Sequence, residues 1–458
     1  MSLAWLSSGA KISLHHSQHQ QLLLKTKTRD GDSDKEDNIT LAELCRKATP
    51  ETCKLNPFLF NGHLQTAWTT TPAVEIPIFY KRKIFQADES NFEGHFAVDF
   101  VVPPYDMPTN DEAVDKERTY TLPSGLPPRT SLFSNEELES LPSDDSRPML
   151  VVLHGLTGGS HEVYLRAALA PLVLEDRGWE ACVVNARGCA QTKIGTPVLF
   201  NARSTWDLRQ VVKWLRKTFP NRPLFGLGFS LGANILTNYL GEEGEDCAFK
   251  AAVVCANPWN LELSSRALHR TWLGAEVYSA HMNNSLKRLL SDHIEVVSQH
   301  PKIDVEEVQK TRYIYEFDRA VQAPLWGYPT EGAYYRDASS VDSIAAIRIP
   351  FLAINAEDDP ISVQEAIPYD EFKQTPYGVL LTTSWGGHLG WFEFGGGRWF
   401  AKPIANFLDL MAKEINLSVP PTVRDTRAQS QKIPSEATVA RAHYEPMRRK
   451  LAFNVGQK

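Results

Sequence analysis

Short apolar segments alternate with amphipathic segments through the middle of the chain. MLVVLH at 149–154 and EACVVN at 180–185 are continuous apolar runs, and EVYLRAALAPLVLEDRG between them has a helical pattern. A short run without polar alternation is typical of a strand that is covered on both faces. Strands that alternate with helices predict a mostly parallel sheet with helices on both faces, so the expected fold class is α/β.

The same alternation continues to residue 415. Residues 204–219 predict a helix, because the apolar residues are spaced i, i+3, i+4 and i+7, namely Leu208, Val211, Val212 and Leu215. Ser204 and Asp207 at its start predict a capping box in which Asp replaces the usual Glu. Further strands are predicted over 223–229 (PLFGLGF), 251–256 (AAVVCA), 349–355 (IPFLAIN) and 377–383 (YGVLLTT), with a closing helix over 400–415.

Other segments flank or interrupt this α/β core. Residues 1–50 are polar and mixed in charge, which predicts a polar N-terminal segment that is mobile at its start. Residues 1–40 show no apolar periodicity, so we expect them not to dock on the core. The alternation in GHFAVDFVVPP, which ends at residue 104, predicts an antiparallel strand. Residues 257–345 are rich in Trp, Tyr and charge and predict a helical cap over the carboxyl edge of the sheet. The predicted organisation is a polar segment (1–50), a first core part (51–256) with a polar excursion (103–147), the cap (257–345), a second core part (346–415) and a polar tail (416–458).

Composition excludes several classes of protein. The 458 residues are 42% hydrophobic, which suits a globular protein with a sizeable core. The net charge is −7 and no block of Lys and Arg is present, so no nucleic-acid partner is expected. The six cysteine residues form no C-x-x-C pair and favour a reducing compartment, the cytoplasm. We expect neither a secretory signal nor a transmembrane segment, because no continuous apolar run is long enough.

One motif stands where a predicted strand meets a predicted helix: Gly228-Phe229-Ser230-Leu231-Gly232. In one interpretation it is only a tight turn, for which the glycines suffice and the serine is incidental. In the other it is a nucleophile elbow, which holds a serine hydroxyl clear of the sheet. A serine needs a base to take its proton, so the second interpretation requires partners elsewhere in the chain.

Two later loops supply such partners in the expected order. AEDDP follows the strand at 349–355, and SWGGH follows the strand at 377–383. Both loops open at the carboxyl edge of the sheet, where α/β folds place their sites. Serine, then acid, then histidine is the order of α/β-hydrolases, so we predict the catalytic triad Ser230, Asp359 and His388. Asp358 is the alternative acid; otherwise it is a neighbour that stabilises the loop.

An oxyanion hole needs two backbone N–H groups. One is predicted from Leu231, directly after the nucleophile, and the other from Leu156 in the loop HGLTGG. A phosphate-binding loop is the other interpretation of these glycines, but the Walker lysine is missing. His154 is expected to fix this loop, and His161 and His63 are expected to be structural. No His, Asp and Glu cluster has metal-ligand spacing, so neither a metal nor a cofactor is expected.

Several segments between residues 56 and 400 resemble the YheT-type branch of the α/β-hydrolase superfamily. They are NPFLFNGHLQT, LHGLTGGSHEVYLR, NARGCAQT, GFSLGANILTNYLGEEG, ANPWNLELSSRALHRTWLG, APLWGY, YYRDASS and WGGHLGW. The branch includes the yeast medium-chain fatty-acid ethyl ester synthase/esterases and animal abhydrolase lipases. The resemblance implies an α/β-hydrolase fold with a cap insertion and the same triad. Two departures are that the N-terminal membrane anchor of the animal members is not found, and that the H-x-x-x-x-D pattern of some relatives runs here from His388 to Glu393.

The resemblance implies a serine carboxylic-ester hydrolase or acyltransferase that acts on medium-chain, lipid-like acyl esters. The partners would be a small acyl ester or acyl-CoA and an alcohol acceptor, with peripheral contact to a membrane or lipid droplet. Two alternatives stay open: an acyl-CoA:alcohol O-acyltransferase as the main activity, and a non-catalytic ligand-binding protein of this fold. Aromatic residues of the cap are expected to be core or, alternatively, to line an apolar tunnel: Trp259, Trp272, Trp326, Tyr334 and Tyr335.

Overall fold

The computed structural model describes residues 9–27, 38–71, 75–88, 93–106, 125–175 and 177–426. Parts of the predicted segments lie outside the described residues: 1–8 and 28–37 of the N-terminal segment, 72–74, 89–92 and 176 of the first core part, 107–124 of the excursion and 427–458 of the tail. No helix in the described ranges has the length and apolar character needed to cross a bilayer.

A ten-stranded sheet forms the centre of the molecule, in the order β1-β12-β11-β10-β9-β7-β8-β5-β4-β6. Its strands are β1 (Ile12–His15), β4 (Phe79–Gln86), β5 (His95–Val102), β6 (Thr130–Leu132), β7 (Met149–Leu153), β8 (Glu180–Asn185), β9 (Leu224–Phe229), β10 (Phe249–Cys255), β11 (Phe351–Ala356) and β12 (Gly378–Thr383). The central run from β12 to β8 is parallel throughout. β5 pairs antiparallel with β8 and β4, as the alternation in its sequence predicts, and β1 pairs antiparallel with β12.

Both faces of the parallel sheet are buried, which explains why its strands lack polar alternation. Leu150 and Val152 of β7 face one apolar core, and Met149 and Val151 face the other. Helices α4 and α15 cover the first face, and helices α5 and α6 cover the second. The helices of the core are α1 (Leu41–Ala48), α2 (Gly62–Trp68), α3 (Asn135–Ser140), α4 (Val163–Val173), α5 (Thr205–Thr218), α6 (Leu231–Glu243), α14 (Tyr369–Gln374) and α15 (Ala401–Glu414).

A helical insertion joins β10 to β11. Its α-helices are α7 (Leu261–Leu268), α8 (Ala280–Asp292), α9 (Ile294–Val297), α10 (Val305–Lys310), α11 (Ile314–Phe317), α12 (Ala323–Leu325) and α13 (Glu331–Ala338). Two π-helical stretches, Leu273–Ser279 and Asp318–Gln322, interrupt them, and the 3₁₀ helix Val341–Ala346 leads back to the sheet. We call residues 257–345 the cap, because the insertion follows the carboxyl end of one core strand and precedes the next.

The N-terminal segment differs from the sequence-based expectation. β1 extends the central sheet, and β2 (Gln20–Lys25) forms a second sheet with β3 (Asn38–Thr40) and β13 (Thr422–Asp425). Leu22 and Leu24 of β2 are 1% and 2% exposed and belong to the main core. The prediction of a segment that does not dock is therefore wrong for these residues. The reason is that β2 pairs through its backbone with β3 and β13 and buries only two leucines, which is too short a pattern to stand out in a polar segment.

The start of helix α5 is a second difference. Ser204 is the N-cap residue but makes no side-chain capping bond. Its hydroxyl accepts instead from the N–H of Asn201 over 2.8 Å. Asp207 forms a two-fold ion pair with the buried Arg187, with N···O distances of 2.7 and 2.8 Å. The predicted capping box is wrong, because both of its side chains bond to the neighbouring loop.

Candidate active site

Ser230 occupies the turn between β9 and α6 with strained backbone angles, φ 51° and ψ −118°. The flanking glycines allow a very close approach of the two elements. A Cβ on Gly228 would lie 2.6 Å from the carbonyl oxygen of Gly232, and a Cβ on Gly232 would lie 2.6 Å from that of Leu153. Both distances are too short for any side chain. The glycines therefore allow the tight turn, and Ser230 lies in this turn between them.

The three residues of the predicted triad come together at the carboxyl edge of the sheet. Oγ of Ser230 lies 2.8 Å from Nε2 of His388, and Nδ1 of His388 lies 2.8 Å from Oδ2 of Asp359. Ser230 and Asp359 are 9% and 3% exposed. Because the carboxylate accepts the Nδ1–H of His388, Nε2 carries the lone pair that faces the serine hydroxyl. This chain of hydrogen bonds can move a proton from Ser230 to His388.

The two adjacent aspartates do different things. Oδ1 of Asp359 accepts from the N–H groups of Ile361 and Ser362 over 2.8 and 2.9 Å, which holds its other oxygen toward the imidazole. Oδ1 of Asp358 accepts from the N–H groups of Gly386 and Gly387 over 2.9 and 3.0 Å. Burial raises the pKa of Asp358, and these hydrogen bonds lower it in part. Of the two carboxylates, Asp359 is the one that contacts the imidazole of His388, so the geometry favours Asp359 over the alternative Asp358.

The predicted oxyanion donors lie beside Ser230. Leu231 is the first residue of α6, where N–H groups have no partner within the helix. A Cβ on Gly155 would lie 3.4 Å from Cβ of Ser230, so the loop that carries Leu156 adjoins the serine. A helix N-terminus facing a loop N–H is an arrangement that suits a negatively charged oxygen.

His154 fixes the orientation of the Leu156 N–H. Nε2 of His154 accepts from the N–H of Ala186 over 3.0 Å, so Nδ1 carries the proton and donates to the carbonyl of Gly155 over 2.6 Å. In a trans peptide the carbonyl and the next N–H point in opposite directions, so anchoring one aims the other. Burial lowers the pKa of His154 to about 4, which keeps the ring neutral near neutral pH.

Sequence reasoning missed three side chains that shape this site. The hydroxyl of Tyr164 accepts the N–H of Gly155 over 2.7 Å and so holds the loop that carries Leu156. Thr66 and Gln65 of helix α2 bond to the loop that carries His388. The segment NGHLQT was singled out for its family resemblance, and that was the only available signal for Thr66 and Gln65.

An apolar cluster adjoins the two residues that are predicted to bind the oxyanion. The side chains of Leu156 and Leu231 pack against buried residues that come mostly from the cap, among them Leu286, Leu289, Leu290, Val297, Phe317 and Val321. Among the aromatic residues of the cap, Trp259, Trp326, Tyr334 and Tyr335 are buried, whereas Trp272 is 72% exposed. Within the described ranges no cluster of His, Cys, Asp and Glu has the geometry of a metal site.

Sequence comparisons identify the family of the chain. The family described as "alpha/beta hydrolase fold" matches residues 148–393, more than half of the chain. The chain is 39% identical over 406 residues to a monoacylglycerol lipase of Saccharomyces cerevisiae, which covers 85% of this chain and 89% of the relative. It is 34% identical over 388 residues to the medium-chain fatty acid ethyl ester synthase/esterase 2 of the same yeast. This match covers 77% of this chain and 84% of the relative. A bovine phospholipase ABHD3 is 32% identical over 263 residues, a match that covers 57% of this chain and 62% of the relative. The chain belongs to the α/β-hydrolase family and is a hydrolase.

Proposed function

We propose that the protein is a serine carboxylic-ester hydrolase that uses Ser230, His388 and Asp359 as its catalytic triad. The observation that carries the proposal is the continuous chain of hydrogen bonds from Ser230 through His388 to Asp359, with two distances of 2.8 Å. A serine at a strained turn, with its hydroxyl bonded to an oriented imidazole, has the geometry of an activated nucleophile. A ligand-binding protein of this fold has no need of that chain of hydrogen bonds.

The proposed reaction proceeds through an acyl-enzyme. Oγ of Ser230 forms a bond to the acyl carbon, and its proton passes to Nε2 of His388. The bond from that carbon to the alcohol oxygen then breaks, and Nε2 returns the proton to the leaving alcohol. Water next gives a proton to Nε2 and attacks the acyl carbon. Ser230 leaves with that proton, which releases the carboxylic acid and restores the enzyme.

The remaining residues support the charges that develop. The N–H groups of Leu231 and Leu156 are proposed to bind the oxyanion of each tetrahedral intermediate, and one such donor is worth roughly 10²–10³ in kcat. Asp359 holds the tautomer of His388 and stabilises the imidazolium that forms when the proton is transferred. Both roles need only groups that are already in place.

Hydrolysis of a water-soluble ester tests the proposal. Wild-type protein is expected to hydrolyse p-nitrophenyl butyrate, and Ser230→Ala is expected to abolish turnover with an unchanged thermal midpoint. Ser264→Ala serves as a matched control, because its hydroxyl is buried in helix α7 of the cap and donates to the carbonyl of Pro258. Substantial turnover by a folded Ser230→Ala variant would remove Ser230 as the nucleophile.

The proposed substrates are medium-chain, lipid-like acyl esters. The apolar cluster beside Leu156 and Leu231 supports an acyl chain attached to Ser230, and two of the relatives are named for a monoacylglycerol and for medium-chain ethyl esters. Each buried CH₂ contributes about 0.8 kcal/mol, so kcat/KM is expected to rise by up to roughly four-fold per methylene for as long as added methylenes are buried against this cluster. A flat profile from acetyl to dodecanoyl esters would contradict this substrate class.

Transfer to an alcohol is a second candidate activity, favoured by the relative named as a synthase and esterase. The acyl-enzyme would then pass its acyl group, taken from an ester or an acyl-CoA, to an alcohol oxygen instead of water. A bound alcohol gains a positioning advantage that a free one lacks. Ethanol should therefore yield more ethyl ester than its concentration relative to water accounts for. Free acid as the only product would leave a hydrolase.

Peripheral contact with a lipid surface completes the proposal. Large apolar side chains are exposed on two neighbouring segments. The first segment, in and just before α2, exposes Phe58, Phe60, Leu64 and Trp68. The second segment, in the cap, exposes Trp272, Leu273 and Val277. Nδ1 of His63 and the hydroxyl of Tyr278 join these segments over 2.8 Å. Exposed Trp and Phe are typical of membrane interfaces. Flotation with phosphatidylcholine vesicles should weaken in Trp68→Ser and Trp272→Ser but not in the remote Leu174→Ser; equal flotation of all three would contradict it.

The proposed compartment is the cytoplasm. Cys182 and Cys255 lie within strands of the sheet, and five of the six cysteine residues are buried as free thiols, which suits a reducing environment. Alkylation of the denatured, unreduced protein from cells should modify all six cysteines, and a lower number would indicate disulfides and contradict this location.

A further inference from the structure

The loop that carries His388 is held by side chains. The N–H groups of Gly386 and Gly387 donate to Oδ1 of Asp358. The next N–H, that of His388 itself, donates to Oγ1 of Thr66 over 2.8 Å. Thr66 lies 322 residues earlier in the chain, in helix α2.

The hydroxyl of Thr66 both donates and accepts a hydrogen bond. Oγ1 donates its proton to the carbonyl of Gly62, one turn earlier in α2, over 2.7 Å. It therefore faces His388 as an acceptor, in a fixed direction. Thr66 is 7% exposed, so water has little access to replace this bond. The position of the His388 backbone is thus set by helix α2, which is distant from His388 along the chain.

Gln65 makes a second bond to the same loop. Its Oε1 accepts from the N–H of Phe392 over 2.8 Å, and its Nε2 donates to the carbonyl of Leu59 over 3.0 Å. Gln65 is fully buried. The N–H of Asn56 also donates to the carbonyl of Phe392 over 2.8 Å. Residues 56–66 therefore hold the histidine loop at two positions, His388 and Phe392.

Residues 56–66, which hold the histidine loop, lie outside the segment that matches the family. The family match begins at residue 148, whereas α2 ends at Trp68. The matched segment contains all three triad residues but none of the side chains from α2 that hold the histidine.

We propose that Thr66 is a positioning residue for His388, and that helix α2 is thereby part of the catalytic apparatus. The inference rests on the proposed function, because it assigns to Thr66 the placement of the proposed base. Thr66 fixes the backbone of His388, and the imidazole reaches both Ser230 and Asp359 from that fixed point.

Loss of the hydroxyl should affect catalysis more than binding. Without it the N–H of His388 is buried with no acceptor, and the loop must shift to find one. A misplacement of about 1 Å at a reacting group can cost roughly 10²-fold in rate. The ester itself is bound by other groups, so we expect kcat to fall on the order of 10- to 100-fold with KM nearly unchanged.

The test compares three threonine variants of the full chain on soluble p-nitrophenyl butyrate. Thr66→Val keeps the shape and removes the hydroxyl, whereas Thr66→Ser keeps the hydroxyl and removes the methyl group. Thr70→Val is the matched control, because the Thr70 hydroxyl donates only to the carbonyl of Ala67 at the exposed end of α2. Thermal unfolding is measured for each variant, and Thr66→Ala replaces Thr66→Val if the latter does not fold.

The inference expects a low kcat for Thr66→Val, near wild-type kcat for Thr66→Ser and Thr70→Val, and similar KM throughout. Wild-type kcat in folded Thr66→Val, or a loss in Thr66→Ser as large as in Thr66→Val, would overturn it while the proposed function stands. If wild-type protein neither hydrolyses the ester nor reacts with a fluorophosphonate, the proposed function and this inference both fail.

Discussion

At the scale of single residues, the two adjacent aspartates give the sharpest test of assigned roles. Asp359 holds the His388 tautomer, and replacing such an acid by its amide costs on the order of 10⁴ in kcat. Asp358 does not contact the imidazole, and its Oδ1 accepts from two backbone N–H groups, which an Asn oxygen can also do. We therefore expect Asp359→Asn to lose about 10⁴-fold and Asp358→Asn about ten-fold or less. Measured kcat of the two purified variants in the reverse order would move the triad acid to Asp358.

The meeting of Ser230, Asp359 and His388 was predictable from sequence because each of them follows a buried strand with a recognisable pattern. The G-x-S-x-G spacing, the acidic loop and the glycine-rich histidine loop each have a local signature. Thr66 has none, because a single hydroxyl on a short helix contacts a loop 322 residues away. The tautomer of His154 was equally invisible, since it depends on the N–H of Ala186. Hydrogen bonds between distant segments follow from the tertiary fold and not from local spacing.

At the scale of elements, the cap contains a buried carboxyl group that the proposed reaction does not use. Asp318 lies in the π-helical stretch Asp318–Gln322, and its Oδ2 accepts from the hydroxyl of Tyr335 over 2.6 Å. Burial raises the pKa of Asp318 to about 7. The folded protein therefore binds this proton below pH 7, whereas the unfolded chain binds it only near its ordinary pKa of 3.8. The ionised group thus destabilises the folded state above pH 7, and the penalty fades as the pH falls.

Asp318→Asn should accordingly raise the free energy of unfolding at pH 8, and the gain should shrink toward pH 4. Each pKa unit corresponds to about 1.4 kcal/mol, so the gain at pH 8 is on the order of a few kcal/mol. Urea unfolding at several pH values measures it, with Asp370→Asn, an exposed carboxylate on α14, as the control for the lost charge. A gain that is constant with pH would contradict the buried ionisation.

Secondary structure was predicted correctly where the burial of apolar residues determines it. The prediction was wrong where a polar side chain has more than one available hydrogen-bond partner. The strand predicted at 180–185 coincides with β8, because a strand covered on both faces must be apolar throughout. The capping box of α5 failed for the opposite reason. Ser204 and Asp207 had partners in a neighbouring loop, Asn201 and Arg187, that the sequence pattern does not reveal.

At the scale of the whole molecule, the N-terminal strands are part of the folded core. β1 pairs with β12, and the N–H of Ser384, close to the histidine loop, donates to the carbonyl of Lys11 over 2.9 Å. Deletion of residues 1–25 removes two buried leucines, Leu22 and Leu24, each worth about 1.5–3 kcal/mol. We expect a clearly lower thermal midpoint or aggregation, whereas deletion of residues 1–8 keeps both strands. A wild-type midpoint after the longer deletion would show that these strands are dispensable.

The most direct test of the central claim is covalent labelling of the native protein with a fluorophosphonate, because only an activated serine reacts rapidly. Intact mass measurement is expected to find one adduct, and peptide mapping is expected to place it on Ser230. Ser230→Ala should not react, and His388→Ala should react far more slowly, because the base that takes the serine proton is gone. Labelling of Ser230→Ala at the wild-type rate, or an adduct on another residue, would contradict the triad proposed for this α/β-hydrolase.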